Sequence, residues 1–251
     1  MKIIGIDSSG NVASVAYVAD GTLIAEYTIN NKKTHSQTLL PMIDEIMKQE
    51  GMNPGDIDCI AISAGPGSFT GLRIGSATAK GLGLALNKPI AEVSTLDALA
   101  YNLYGNEGCI ICPIMDARRQ EVYTAAYEFA GVSSDTAGSN GTMYGLRCII
   151  EEQAVPLKEM LDKLKVLGRR VIFNGDAVPV YKDIIEEYYD APHSYANPAS
   201  MYQRAASVAA LGECRFLKGE VTDADLHSPV YLRKSQAERE MEEGKLKAPG
   251  T

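Results

Sequence analysis

Two short polar segments carry the side chains best suited to chemistry. Asp7, Ser8, Ser9 and Gly10 follow one apolar run, and Asp116 ends another in the second half of the chain. Carboxylates, hydroxyls and backbone amides close to a glycine can accept a phosphate or a magnesium ion. These five residues are therefore predicted to form, at most, a weak nucleotide or phosphate site. A polar strand end held by backbone amides is the open alternative for Asp7.

A glycine-rich loop and the helix after it form the second unusual stretch. Residues 65–71 read Gly-Pro-Gly-Ser-Phe-Thr-Gly, a turn that could cradle an anion at a helix N-terminus. The Walker spacing is missing, so a structural turn is favoured. Small residues then recur every four positions on one helix face, at Gly71, Gly75, Ala79 and Gly83. Because glycine costs helix stability, something must approach this face closely. This chain's own sheet and a second subunit are both open as that neighbour.

Composition limits the possible classes of function. The chain has 251 residues, 45% of them hydrophobic, and a formal net charge of −8. It is long enough for one large or two small domains, and no apolar run is long enough to cross a membrane. The acidic balance argues against a broad nucleic-acid surface. An odd number of cysteines and an aspartate as early as position 7 favour a cytoplasmic protein over a secreted one.

The periodicity of apolar residues predicts the same succession of elements twice, namely three strands, a helix, a strand and a helix. We therefore expect two related α/β domains at 1–104 and 105–234, followed by a charged tail at 235–251. A surface loop is expected at 131–141. Strands are predicted at 2–9, 12–19, 22–29, 57–63, 89–93, 109–116, 120–129, 142–150 and 169–174. Helices are predicted at 36–50, 71–86, 95–104, 156–167, 177–189 and 201–217.

The duplicated unit, with an aspartate ending the first strand of each half, resembles the actin/Hsp70/sugar-kinase superfamily. This resemblance implies a ribonuclease H-like duplicated fold, with mixed sheets flanked by helices, in which the first hairpin of each half grips nucleotide phosphates. A more specific set of blocks resembles the TsaB (YeaZ) family, the accessory subunit of the bacterial machinery that makes N6-threonylcarbamoyladenosine at position 37 of tRNAs. These blocks lie at 6–10, 35–41, 63–75, 79–81, 116–123 and 229–233.

Departures from the catalytic paralogue of that family, TsaD, bear on mechanism. After the same glycine helix, TsaD carries two metal-binding histidines in an Asn-His-Leu-Glu-Gly-His block. Here Thr95 and Leu99 stand at the matching positions, and a leucine cannot ligate a metal. The second hairpin, from Asp116 to Gln120, also lacks a glycine. The resemblance thus implies no catalytic residues, no metal and no cofactor for the chain alone, with ATP and magnesium bound weakly if at all.

The resemblance further implies a scaffold that binds a TsaD-like catalytic subunit, engages a TsaE-like ATPase and meets tRNA only through the complex. We predict the partner face on helices 36–50 and 71–86, and a homodimer through the same face when the partner is missing. A small-molecule kinase or ATPase of the same fold is the main rival, and a peptidase is the other. The predicted interface residues are His35, Leu39, Ile43, Met47, Gly71, Leu72, Gly75, Ala79, Leu82 and Gly83.

Overall fold

Strands and helices follow one another in the order that the periodicity predicts, with one additional short strand between the last two helices. The computed structural model describes residues 1–31, 34–132 and 143–233. The strands are β1 (Lys2–Asp7), β2 (Val12–Ala19), β3 (Thr22–Asn30), β4 (Cys59–Gly65), β5 (Ile90–Ser94), β6 (Ile110–Asp116), β7 (Glu121–Val132), β8 (Met143–Pro156), β9 (Val171–Asn174) and β10 (His193–Tyr195). The helices are α1 (His35–Gln49), α2 (Phe69–Leu86), α3 (Thr95–Tyr101), α4 (Leu157–Leu167), α5 (Val178–Tyr188) and α6 (Ala205–Leu217).

The strands form two five-stranded mixed sheets with the same internal order. The first sheet runs β3-β2-β1-β4-β5 and the second β8-β7-β6-β9-β10. In each half, the first strand pairs antiparallel with the second and parallel with the strand that follows the first crossover. Equivalent pairing in both halves confirms the predicted duplicated, actin-like α/β fold.

The first sheet is covered by helices on both faces. Ile4 and Ile6 of β1 pack under α1 and α2, whereas Ile3 on the other face packs against Val208 and Ala209 of α6. Alternate residues of one strand thus serve two separate cores. The predicted boundaries place α6 in the domain at 105–234, whereas in the structure it packs on β1 and β4 of the first sheet. The first half is therefore completed by a helix from the end of the chain.

The second sheet is covered by α4 and α5 on one face and by α3 on the other. Met160 of α4 and Ile185 of α5 share one buried cluster with Phe173 of β9. Leu99 of α3 lies in a different cluster with Tyr127 of β7, on the opposite face. Because α3 follows β5 directly, this second cluster joins the two halves of the molecule.

Element boundaries differ from prediction where tertiary pairing outweighs local composition. Strand β8 continues to Pro156, because its polar end pairs with the start of β7. Strand β10 has three residues, too few to give a periodic signal. Strand β7 extends to Val132, and the rest of the predicted loop at 131–141 lies outside the described residues, as does the tail at 235–251. None of the helices in the described ranges combines the length and apolar character needed to span a bilayer.

Candidate functional site

The tip of β1 holds three of the predicted site residues, which hydrogen-bond within the chain. One carboxylate oxygen of Asp7, Oδ1, accepts bonds from the Ser9 amide at 2.9 Å and the Ser9 hydroxyl at 2.6 Å. The Ser8 hydroxyl donates to the carbonyl of Gly71 at 2.9 Å. Burial raises the pKa of Asp7 to about 6, against the hydrogen bonds from Ser9. Both hydroxyls are therefore engaged within the fold rather than directed at a ligand.

A cavity of about 430 Å³ lies between the two halves, next to this tip. Of the five residues predicted to bind nucleotide or phosphate, Ser9, Gly10 and Asp116 line it, whereas Asp7 and Ser8 lie behind its wall. The start of α2 forms one further side, and the β6–β7 hairpin the other. The structure thus brings part of the predicted set together at a cleft between the two halves.

The β6–β7 hairpin has an unusual backbone. Arg118, Arg119 and Gln120 all have positive φ, at 67°, 56° and 62°. Three consecutive non-glycine residues in the left-handed region are strained. The Asp116 carboxylate holds this turn by accepting the Arg118 amide at 2.8 Å and pairing with its guanidinium at 3.2 Å. The Asp116 carboxylate thus stabilises the hairpin that follows it.

The cleft is also lined by residues that were not predicted as site residues, among them Asp176, Tyr231 and Arg233. Asp176 follows β9 and accepts the backbone amide of Asp116 at 3.2 Å. Burial raises the pKa of Asp176. Tyr231 and Arg233, near the end of the described chain, line the cavity as well. The block at 229–233 is recognisable in the sequence, but its position over the cleft depends on the tertiary path of the segment before it.

Packed side chains fill the two positions where the resemblance implies histidines in a catalytic paralogue. Thr95 is fully buried, and its hydroxyl lies 2.6 Å from that of Ser63. Leu99 is buried in the apolar cluster that joins the halves. Within the described ranges, no three His, Cys, Asp or Glu side chains are grouped so as to hold a metal ion. Neither a hydroxyl that is already hydrogen-bonded nor a leucine supplies the missing ligand.

The small-residue row of α2 faces this chain's own fold, which is one of the two neighbours that the sequence leaves open. We call Gly71, Gly75, Ala79 and Gly83 the inner row. A side chain at Gly71 or Gly75 would collide with Ser8, and one at Gly83 would come within 2.7 Å of the Ala224 methyl group. Close approach is thus required, as predicted, but the neighbour is the same chain.

The remaining predicted interface residues also point inward. Leu39, Ile43, Leu72 and Ala79 are buried in the first half. Met47 and Leu82 are partly buried against the same core. The ring nitrogen Nε2 of His35 donates to the carbonyl of Gly10 at 2.9 Å. The buried members of the predicted set thus contribute to this chain's own core, whereas His35, Met47 and Leu82 are only partly buried. The partner face on helices 36–50 and 71–86 stays a prediction.

The opposite face of α2 is open to solvent and carries a second row of mostly small residues. Arg73, Ala77, Gly81 and Ala85 are four positions apart and all exposed, and we call them the outer row. Leu84 beside this row is 61% exposed. Apart from its own turn of helix, no atom of the described chain lies within 4 Å of where a side chain at Gly81 would begin. Nothing within the fold therefore requires a glycine at this position.

Comparisons with known proteins place the chain among tRNA-modification proteins. A family model described as "TsaD: tRNA N6-adenosine threonylcarbamoyltransferase" matches residues 22–241. The Bacillus subtilis protein named tRNA threonylcarbamoyladenosine biosynthesis protein TsaB is 35% identical over 95% of this chain and 96% of its own length. The Escherichia coli protein of the same name is 29% identical over 94% of this chain and 96% of its own length.

A solved structure agrees with these relatives over nearly the whole chain. YeaZ from Pseudomonas aeruginosa superposes with a TM-score of 0.75 at 27% sequence identity. The superposition covers 92% of this chain and 99% of that one. Both halves, and not one shared domain, are therefore common to the two proteins.

Proposed function

Because the chain belongs to the TsaB (YeaZ) family, a family of tRNA threonylcarbamoyladenosine biosynthesis, we propose that it is the accessory subunit of the complex that forms this modified nucleoside. In this role it binds and supports a TsaD-like catalytic subunit and performs no chemistry of its own. The complex transfers the threonylcarbamoyl group onto tRNA, which reaches this acidic chain only through its partners.

The observation that carries the proposed partner contact is Gly81 in the middle of the outer row. A glycine inside a helix costs roughly 0.5–1 kcal/mol relative to alanine. The inner-row glycines offset that cost by letting α2 approach Ser8 and Ala224, but no described element outside α2 comes within 4 Å of where a side chain at Gly81 would begin. A second helix packed on the outer row would account for it, since small residues allow close approach. Leu84, and Leu40 on the neighbouring helix α1, supply exposed apolar surface.

The proposal that this chain is not catalytic is supported by the side chains at the positions where metal-binding or phosphate-binding groups would be expected. Thr95 and Leu99 are buried where the catalytic paralogue carries histidines. At the tip of β1, the Ser8 and Ser9 hydroxyls are engaged by backbone and carboxylate groups of this chain. These contacts support a subunit whose contribution is a surface rather than reacting groups.

The same outer face would form a homodimer when the catalytic partner is absent. A symmetric pair places the same patch on both subunits, so homodimer and heterodimer would exclude each other. A TsaE-like ATPase would join only the complex of the two different subunits. The homodimer and the TsaE-like partner go beyond the contact with the catalytic subunit. Either could be disproved while that contact still holds.

Reconstitution tests the proposed function directly. The TsaD-like protein of the same cell is incubated with tRNA and threonylcarbamoyl-adenylate, with and without this chain, and the modified nucleoside is quantified by mass spectrometry. A TsaE-like protein and ATP are added to both arms if turnover requires them. We expect formation of the nucleoside to depend on this chain and to persist when Ser9→Ala replaces the wild type. Equal formation without the chain would reject an accessory role, and loss in a Ser9→Ala protein that stays folded by circular dichroism would reject a non-catalytic one.

A further inference from the structure

The last described residues form a strap along the edge of the first half. We define the strap as residues 222–233. It starts beside β5, where Thr222 and Ile90 exchange backbone hydrogen bonds of 2.8 Å in each direction. Lys80 of α2 then donates to the carbonyls of Asp225 and His227 at 2.9 and 3.0 Å. The strap is thus held by main-chain and charged contacts before it reaches the cleft.

The strap next passes the glycine loop at the entrance to the cavity. The amide of Val230 donates to the carbonyl of Ala64 at 2.7 Å. A side chain at Gly65 would collide with the carbonyl of Val230. The ring of Tyr231 lies 5.0 Å from that of Phe69, at the start of α2. Up to Tyr231, therefore, the strap is part of the first half.

Arg233 crosses from the first half to the second. Its guanidinium donates to the carbonyl of Ala117 at 2.9 Å and pairs with the Glu121 carboxylate at 2.5 Å. The side chains of Arg233 and Glu121 are 17% and 30% exposed. This ion pair is thus better shielded from solvent than an ordinary surface pair, and it carries an additional charge-assisted hydrogen bond.

The connections between the two halves include one at the base of the cleft and one at its entrance. At the base of the cleft, α3 packs its apolar face on the second sheet, with Leu99 against Tyr127. At the entrance, Arg233 links the strap to the β6–β7 hairpin. The cavity lies between these two connections.

We propose that Arg233 acts as a latch that keeps the cleft between the halves closed and limits access to its cavity. The latch is a single side chain on a strap otherwise anchored to the first half, so its release leaves both cores intact. The halves could then separate at the entrance while α3 holds them at the base. The latch belongs to the isolated chain and does not depend on any partner.

Hydrogen–deuterium exchange on the full chain tests the latch without labels. In Arg233→Ala, we expect about tenfold faster amide exchange in the cavity walls, as for loss of a charge-assisted hydrogen bond. Exchange is most informative at residues 9–11 in the first half and 176–180 in the second, because the described contacts of Arg233 are with Ala117 and Glu121 instead. Glu121→Gln, which keeps the shape of the side chain, should accelerate the same segments to a smaller degree.

Arg215→Ala is the matched control. Arg215 pairs with Asp97 at 3.6 Å, is 37% exposed and joins α6 to α3, away from the entrance. A latch requires faster exchange in both walls for the Arg233 variant and none for the control. Acceleration confined to residues 116–121, no acceleration at all, or equal acceleration in Arg215→Ala would each overturn the proposal. Equal exchange of β1 and β4 in all variants verifies that the cores remain folded.

Discussion

The hydroxyl of Ser8 donates to the carbonyl of Gly71 at 2.9 Å, and this contact joins the tip of the first strand to the first turn of α2. The bond requires the helix backbone to lie directly on the strand end. A side chain at position 71 would overlap the carbonyl of Ser8. The inner row of α2 is therefore explained by folding, which leaves the outer row as the candidate for assembly.

Two glycines of the same helix should respond to alanine in opposite directions. Gly81→Ala replaces a glycine in the helix interior with an alanine, whose methyl group points into open space. This variant should therefore raise the free energy of unfolding by about 0.5–1 kcal/mol. Gly71→Ala forces a methyl group onto a backbone carbonyl and should lower it by about 1–3 kcal/mol. Urea denaturation of both variants provides the measurement. Stabilisation by Gly71→Ala would show that the inner row is not tightly packed.

Sequence periodicity predicted the helix but could not tell which of its faces lies inside. The inner row begins at Gly71 and the outer row at Arg73, and both repeat every four residues. Two positions along a helix correspond to nearly opposite directions, so both faces carry small residues. Only the position of α2 over β1 separates them. The duplicated fold, in contrast, followed from local patterns repeated in each half.

The cleft was only partly predictable for a related reason. Gly10 and Asp116 end or follow apolar strands, so the sequence marks them as residues at a sheet edge. Asp176, Tyr231 and Arg233 reach the cavity because distant segments fold back over it. Such contacts depend on tertiary path, and no local pattern of residue types records them.

Asp7 should give the protein a distinct pH dependence. Burial raises its pKa from 3.8 to about 6, so the folded state holds a proton that the unfolded state has released between these values. The contribution of Asp7 to the free energy of unfolding is therefore largest below about pH 4 and is lost as the pH rises to about 6. The loss is up to about 3 kcal/mol, from roughly two pKa units.

Asp7→Asn isolates this effect, because the amide keeps the shape and cannot titrate. Between pH 4 and pH 7, we expect the wild type to lose unfolding free energy relative to the Asp7→Asn variant. Other buried acids, such as Asp176, contribute equally to both proteins and cancel. A difference that stays constant over this range would mean that Asp7 titrates at its ordinary value.

Mg-ATP should bind the isolated chain poorly. The Ser8 and Ser9 hydroxyls are already engaged, and the second hairpin presents Arg118 to Gln120 without a glycine for close backbone approach. Isothermal titration calorimetry should give a dissociation constant no tighter than roughly 100 μM, or about −5.5 kcal/mol. Sub-micromolar affinity would favour the kinase or ATPase alternative.

The purified chain should carry no near-stoichiometric iron or zinc. Thr95 and Leu99 are buried, and neither side chain supplies the imidazole that its counterpart in the catalytic paralogue provides. Elemental analysis of protein purified without a chelator or a histidine tag provides the measurement. A stoichiometric transition metal on native residues would contradict the assignment of a non-catalytic subunit.

A matched pair of substitutions on α2 tests the central claim most directly. Ala77 is exposed in the outer row, whereas Ala79, two residues away, is fully buried in the inner row. We expect Ala77→Tyr to stay folded by circular dichroism and to weaken binding to the TsaD-like subunit by about 30-fold, the scale of an interface hot spot. Ala79→Tyr should instead destabilise the fold. Sedimentation velocity of Ala77→Tyr with the TsaD-like subunit is the decisive measurement. Binding about 30-fold weaker with an intact fold is the predicted result, and a folded variant that binds as tightly as the wild type would contradict the account.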